Sequence, residues 1–445
     1  MDGQARAVRC DAAIYAVGAV VAGVAALSDR IPIQRQWGRI AFIPYVVVAG
    51  LAALWPRRTR FGLMGVRAAI LALAIGGAAL LPLGLEVWWR AHQGFAGHVQ
   101  SEVLVTEESA RALLHGRDPY AASFASGPLG AWPPGTAEHV PYLPGMFAFG
   151  LPRALAGSGA ATDARLAFAG VALLVLAVAL PRSGAARSKQ LTALAAIVVL
   201  PTGARYMTGG GDDLAVLSLM LLSLVLLDRR RPGWAGVVAG LAAVTKQTAW
   251  PLLPFLVLAA RDRDERPARG RALTAMSGVI VPVVLPFLVW NPRAFVEDVL
   301  LFPFGLAKDP TLAASPTLGR LIAEALPVGK GVVAAVLVLV VLAVAGYLAF
   351  VRPPTAARGA AERAAIISFL AIALATAGRF GYLLYPIGLF AWAHLILPPD
   401  PPMASVAGRP DRGSRALRRK LSDVVHRTLL AEAGSTAAIC HGKAA

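Results

Sequence analysis

The run GVVAAVLVLVVLAVAGYLAF, Gly331–Phe350, contains no charged side chain. A helix needs about 20 such residues to cross the roughly 30 Å hydrocarbon layer of a bilayer. Inside lipid the backbone must satisfy its own polar groups, so an open chain of this kind crosses as a helix. Comparable runs recur over residues 11–28, 39–55, 66–88, 165–181, 190–206, 211–228, 272–290, 363–378 and 380–397, with 330–350 between them. Only 15% of residues are charged and 57% are hydrophobic, against about 25% charged in soluble domains. The pattern predicts an all-α polytopic membrane protein of about ten transmembrane helices.

The net charge of +18 does not point to nucleic acid, because the cations sit in short loops between apolar runs, as the positive-inside rule expects. RRTR (Arg57–Arg60), RSGAARSK (Arg182–Lys189), DRRR (Asp228–Arg231), RDRDERPARGR (Arg261–Arg271) and the tail after Asp400 are all basic. Placing them in the cytoplasm puts both termini inside the cell membrane and residues 89–164 and 291–329 outside. Unless one loop breaks the charge rule, the apolar stretch between DRRR and RDRDERPARGR then enters and leaves on one side, as a re-entrant hairpin broken near Lys246 and Pro251. PYLPGMFAFGLPRAL (Pro141–Leu155) must likewise lie in the interface or dip in and return. Irregular backbone at membrane depth is tolerated where it lines a cavity. Residues 1–65 read as an added pair of helices, 66–397 as the membrane core, and 398–445 as a basic cytoplasmic tail. In that tail Arg409–Glu432 is expected to form an amphipathic helix on anionic membrane lipids. Cys10 and Cys440, the only cysteines, exclude a disulfide framework. The first apolar run carries no small-residue cleavage site and reads as retained.

SEVLVTEESARALLHGRDPY, Ser101–Tyr120, is an acidic, helix-patterned segment in the first long outward loop. Ser101 reads as the N-cap and Glu102 as a first-turn anion favoured by the helix dipole. Val103, Ala110 and Leu114 recur at helical spacing, Gly116 can close the helix and Pro119 prevents its continuation. The expectation is an amphipathic helix from about Glu102 to His115, parallel to the membrane surface and lying on the membrane or on the bundle. By local pattern alone, Glu102 serves the dipole equally well within a solvated acidic face.

LLHGRDPY (Leu113–Tyr120), preceded by an acidic residue and a helix, resembles the first outward loop of polyprenol-dependent membrane glycosyltransferases of the GT-C fold. It is most similar to glycosyltransferase family 87, the bacterial α-mannosyltransferase-like group. PYLPG (Pro141–Gly145), GGGDDLAVLSLMLLSLVLL (Gly209–Leu227) and GWAGVVAGLAAVTKQTAWPLLPFL (Gly233–Leu256) resemble further family segments, in family order. The resemblance spans roughly residues 66–397. It implies an inverting transfer of a hexose, by family default mannose, from a polyprenyl-phosphate sugar to a glycolipid or glycan acceptor. The family's catalytic Asp position falls on Glu102, a departure by one methylene. Glu86, Glu107, Glu108 and Asp118 remain competitors.

The implied chemistry needs a carboxylate to take the acceptor proton and cations for the leaving phosphate. Arg205, Lys246 and Arg379 are candidate phosphate partners, since charge at membrane depth marks function. Asp118, Tyr120, His139, Asp212, Asp213, Gln247 and Tyr382 are candidate substrate-binding residues. Plainer roles compete for several of them. Asp212 and Asp213 can cap a helix, Arg379 can snorkel, Tyr382 can join an aromatic belt, and His139 can be a packed hydrogen-bonder. No cofactor and no metal are expected. A secondary transporter or lipid flippase is the alternative function, although the Lys-bearing hairpin has no counterpart in the other half, as repeated transporter halves would require. An inactive scaffold is a third reading, because of the Glu at the Asp position.

Overall fold

The structure, a computed structural model, describes residues 2–54, 62–133, 135–260, 268–309, 311 and 313–400. The amphipathic helix expected over Arg409–Glu432 lies outside the described residues, as do Arg57–Arg60 and residues 261–267. Among the described residues there is no strand, only an isolated parallel bridge between Ala314 and Gly378. The chain is an all-α polytopic membrane protein.

The apolar runs become α1 (Asp2–Ser28), α2 (Pro32–Leu54) and α3 (Gly62–Gln93), the last continuous through a π-helical turn at Gly76–Leu80. The outward loop contributes α4 (Ser101–Leu114). Then follow α5 (Ala164–Ser183), α6 (Arg187–Val199), α7 (Pro201–Gly209) and α8 (Asp212–Asp228). After them come α9 (Pro232–Ala243), α10 (Gln247–Ala259) and α11 (Ala268–Trp290). The chain continues with α12 (Leu318–Ala325), α13 (Lys330–Val351), α14 (Ala357–Leu374) and α15 (Phe380–Leu395). Six of the described helices are long and apolar enough to cross a membrane alone, and α6 with α7 forms a seventh, bent by 46°. α8 is apolar and buried along nearly its whole length, the mark of a helix inside the bundle.

The bend falls where Pro201 ends the hydrogen-bond ladder of α6, since proline has no N–H to donate. The Gly203 amide turns to Leu200 O, which frees Val199 O, and the Tyr45 hydroxyl donates to it. Trp37 similarly donates to Ala78 O, 2.9 Å away in the π-helical turn of α3. The α1–α2 hairpin is thus pinned to two irregular carbonyls of the bundle.

α9 and α11 run parallel: Gly236 faces Ala272, and Gly240 faces Met276. A Cβ at Gly236 would lie 2.2 Å from Ala272 O, so only glycine permits this approach. Two parallel neighbours require the chain to return between them, and α10 is that return. The hairpin inferred from charge is therefore present, broken at Val244–Lys246. Pro141–Leu155 forms short helical segments over Pro144–Gly150 and Leu151–Ala156 rather than a span. Gly150 packs against Thr106 O of α4.

Helix ends sort into two sets. At one end Asp29 meets Arg205, Gln100 meets Gly209, and Glu102 meets Arg379. At the other, Asp11 pairs with Arg67, which also bonds Ser188 and Thr192. The turns around Gly184 and Arg229 and the end of α15 gather at that second end too.

Candidate active site

The first end of the bundle holds a cavity of about 490 Å³. One part is polar, lined by Glu102, His139, Tyr142, Lys246, Gln247, Arg379 and Tyr382. The other is an apolar groove walled by α10, α13 and α14, through residues such as Phe255, Leu337, Val341 and Ala371.

Glu102 reaches this wall because α4 is locked in place. The helix begins one residue earlier than expected: Gln100, not Ser101, precedes it, in extended conformation and without a side-chain cap. The Gln100 amide donates to Gly209 O, which fixes the chain there. At the other end, the Gly116 amide returns to Leu113 O and the Arg117 amide to Ala112 O, so the closure expected at Gly116 forms.

Of the two placements expected for the helix, on the membrane or on the bundle, the structure shows the second. Val103, Leu104, Val105, Thr106, Glu107, Ser109, Ala110 and Ala112 are all buried. The cause is Glu107, whose carboxylate pairs with Arg90 at 2.5 Å and Arg153 at 3.2 Å, and accepts from the Ala164 amide. Arg90 also pairs with Asp163, which holds Arg165. Burial alone would raise Asp163, but the bonds and charges of Arg165 and Arg90 hold it below the usual carboxylate range. Glu107 is therefore an anchor and not a competitor for the base. Removing one partner of a buried ion pair costs about 3–5 kcal/mol. Glu107→Ala should lower the thermal midpoint sharply, measured on detergent-solubilised protein, whereas Glu108→Ala, whose carboxylate among the described residues meets only Arg111 on the same helix, should leave it nearly unchanged.

One oxygen of Glu102 pairs with the Arg379 guanidinium; the other, Oε2, has no hydrogen-bond partner among the described residues. Arg379 follows the bridge at Ala314–Gly378, and Glu102 takes one of its five donors. Lys246, at the hairpin break, donates to Asp212 at 2.7 Å and Asp213 at 2.6 Å. Its ammonium lies between the Tyr142 and Tyr382 rings, 5.4 and 5.2 Å from their centres. Asp212 and Asp213 open α8 after Gly211, whose φ of +89° favours glycine. Neither caps the helix with its side chain. They stand behind the cavity wall as counter-ions to Lys246, and Tyr385 also donates to Asp213. Gln247 ties two loops together, donating to Val299 O at 2.6 Å and Pro141 O at 3.3 Å.

His139 hydrogen-bonds Asp298 at 2.6 Å and stacks on Phe302. Burial would lower the imidazole, but its bond with Asp298, that carboxylate's charge and Asp309 hold it above the ordinary value. Burial in turn raises Asp298, against the His139 and Val140 N–H bonds. The second Asp298 oxygen accepts the Val140 amide at 2.8 Å. Asp298 thus clamps the loop over Val140 and Pro141; no sequence motif marked it, and only its contact 159 residues away does.

Three expected residues fall elsewhere. Arg205 pairs with Asp29 and Gln34 away from the cavity. Asp118 caps its own turn through the Tyr120 amide. Tyr120 is buried among Phe147, Phe287 and Phe295, and its hydroxyl donates to Tyr142 O at 2.8 Å. Tyr120 supports a cavity residue without touching the cavity itself.

Comparison with curated proteins and with solved structures gave no match. The family model of glycosyltransferase family 87 matches residues 141–404. That segment contains Tyr142, Lys246, Gln247, Asp298, Arg379 and the three helices that wall the apolar groove, while Glu102, the LLHGRDPY segment and His139 precede it. With more than half of its length matched, and its helices built to cross a bilayer, the chain belongs to glycosyltransferase family 87 as a membrane glycosyltransferase.

Proposed function

We propose that the protein is a GT-C-type inverting enzyme that moves a hexose, mannose first, from a polyprenyl-phosphate sugar to a glycolipid or glycan hydroxyl on the outer face of the cell membrane. The observation that carries this reading is the single cavity joining a charged head to an apolar groove. A lipid-linked sugar has the same two-part character. Its prenyl chain suits the groove between α13 and α14, and its phosphate and sugar suit the polar end. Sidedness follows from charge: Arg182, Lys189, Arg229 and Arg358 lie at the end opposite the cavity, so the positive-inside rule turns the cavity outward and both termini to the cytoplasm. The tail's contact with anionic lipid belongs to the same orientation.

In the reaction, Glu102 Oε2 takes the proton of the acceptor hydroxyl as its oxygen bonds the anomeric carbon. The bond from that carbon to the phosphate oxygen breaks, and the electron pair leaves with the polyprenyl phosphate. The spare donors of Arg379 stabilise that growing charge. Lys246, its charge matched by two carboxylates, holds the hairpin to the start of α8 beside the cavity rather than acting as a free ligand.

The test is transfer by purified protein in liposomes supplied with polyprenyl-phosphate mannose carrying a radiolabel and a glycolipid acceptor. Labelled acceptor is the expected product. Intact donor accumulating in the opposite leaflet, with no labelled acceptor, would instead support a flippase.

A further inference from the structure

The cavity wall carries hydroxyls that the protein itself leaves without partners. Thr136 Oγ1 and Thr248 Oγ1 are both shielded from solvent, line the cavity and meet no hydrogen-bond partner among the described residues. Thr136 is only 7% exposed. Thr248 stands beside Tyr385, whose hydroxyl proton goes to Asp213 at 2.7 Å, and at its own position finds no bond of proper geometry. Glu102 Oε2 is a further unpartnered atom on the same wall.

Several buried hydroxyls of the bundle close onto their own helices, whereas Ser109 Oγ off the cavity and Ser368 Oγ on the groove wall, like the two threonines, find no partner among the described residues. Thr106 donates to Glu102 O, Thr245 to Ala242 O, Ser218 to Ala215 O and Ser223 to Met220 O. The usual solution is thus available to this chain, and these two threonines do not use it. Buried polar groups are nearly always paired, and an unpaired one lowers stability. A destabilising feature placed on a cavity wall is accounted for when the bound molecule supplies the missing partner.

We infer that Thr136 and Thr248 hydrogen-bond the ring hydroxyls of the transferred sugar and so determine which hexose is accepted. The inference rests on the reading above that the cavity takes a lipid-linked sugar. A threonine hydroxyl offers one donor and two acceptor sites, the same complement as a sugar hydroxyl, so each can exchange hydrogen bonds in either direction. A prenyl chain offers no such partner, and the phosphate, lacking donors, has Arg379 beside it. A site built to bond a hydroxyl discriminates strongly against an analogue that lacks it.

The experiment uses full-length purified Thr136→Val and Thr248→Val with the polyprenyl-phosphate hexose that wild type transfers best and its monodeoxy analogues. Each variant should lose roughly 10–100-fold in kcat/KM for the parent donor. In each, one deoxy analogue that wild type discriminates against should be transferred as well as the parent, because the lost hydroxyl no longer has a partner to leave unpaired. The thermal midpoint should stay level or rise, since valine removes an unpaired polar atom. Thr136→Ser and Thr248→Ser, which restore the hydroxyl, should recover discrimination. Ser109→Ala removes another unpartnered buried hydroxyl, one off the cavity, and should leave transfer unchanged. Wild-type discrimination in both active valine variants would overturn the inference, as would activity lost together with a lowered midpoint. A wild type that transfers no lipid-linked hexose at all would sink the underlying reading, and this inference with it.

Discussion

Glu102→Gln should lose transfer activity by roughly 10²–10⁴-fold, the usual consequence of removing a general base. The amide keeps the length of the side chain and can still accept from Arg379, but it cannot take the acceptor's proton. Stability should fall by only about 1–3 kcal/mol, the scale of a hydrogen bond that loses one charge, because Glu102 and Arg379 both retain contact with the cavity. The comparison is Glu108→Gln, since among the described residues the Glu108 carboxylate meets only Arg111 of the same helix and does not line the cavity. Glu107→Gln is unsuitable as a comparison, because that residue anchors α4 and its loss would disturb Glu102 indirectly. Single-turnover transfer with saturating donor separates the readings. Wild-type rates in Glu102→Gln would remove Glu102 from the chemistry, and matching losses in Glu108→Gln would make the acidic helix structural.

What the sequence disclosed and what it withheld divide by the range of the interaction. Spans follow from hydropathy within about 20 residues, so α3, α5, α11 and α13 lie close to where the apolar runs put them. The hairpin at Lys246 was legible because charge on its flanks forbids a single crossing, and the parallel packing at Gly236 bears that geometry out. Charge at membrane depth is costly and therefore conspicuous, which singled out Lys246 and Arg379 on the cavity wall but also Arg205, which lies away from it. The pairing of the cavity residues was not legible. Glu102 meets Arg379 across 277 residues, and His139 meets Asp298 across 159. No local pattern encodes such partners; they depend on which helix ends the bundle brings together. The same limit explains α4. Its acidic face reads as solvated until Arg90 and Arg153, supplied by separate elements, neutralise Glu107 and allow it to be buried.

Lys246→Met should fail to accumulate as folded protein rather than insert as an enzyme with weakened donor use. The lysine is the counter-ion of two adjacent carboxylates, and all three side chains are largely buried. Methionine would leave Asp212 and Asp213 facing each other with Tyr385 as their remaining donor. Uncompensated buried charge costs about 3–5 kcal/mol when one partner is removed, a large share of the about 5–15 kcal/mol that holds an ordinary fold. Neutralising the whole cluster removes that penalty, so Lys246→Met combined with Asp212→Asn and Asp213→Asn should recover much of the yield and thermal midpoint. The triple variant then tests the cluster as a whole. If the cluster as a whole acts on the donor phosphate, the folded triple variant, which loses both carboxylates with the ammonium, will show a changed KM for the lipid-linked sugar. If its KM matches wild type, the lysine acts only to hold the start of α8 against the hairpin. A single Lys246→Met variant that folds with a wild-type midpoint would show that the three charges are not energetically coupled.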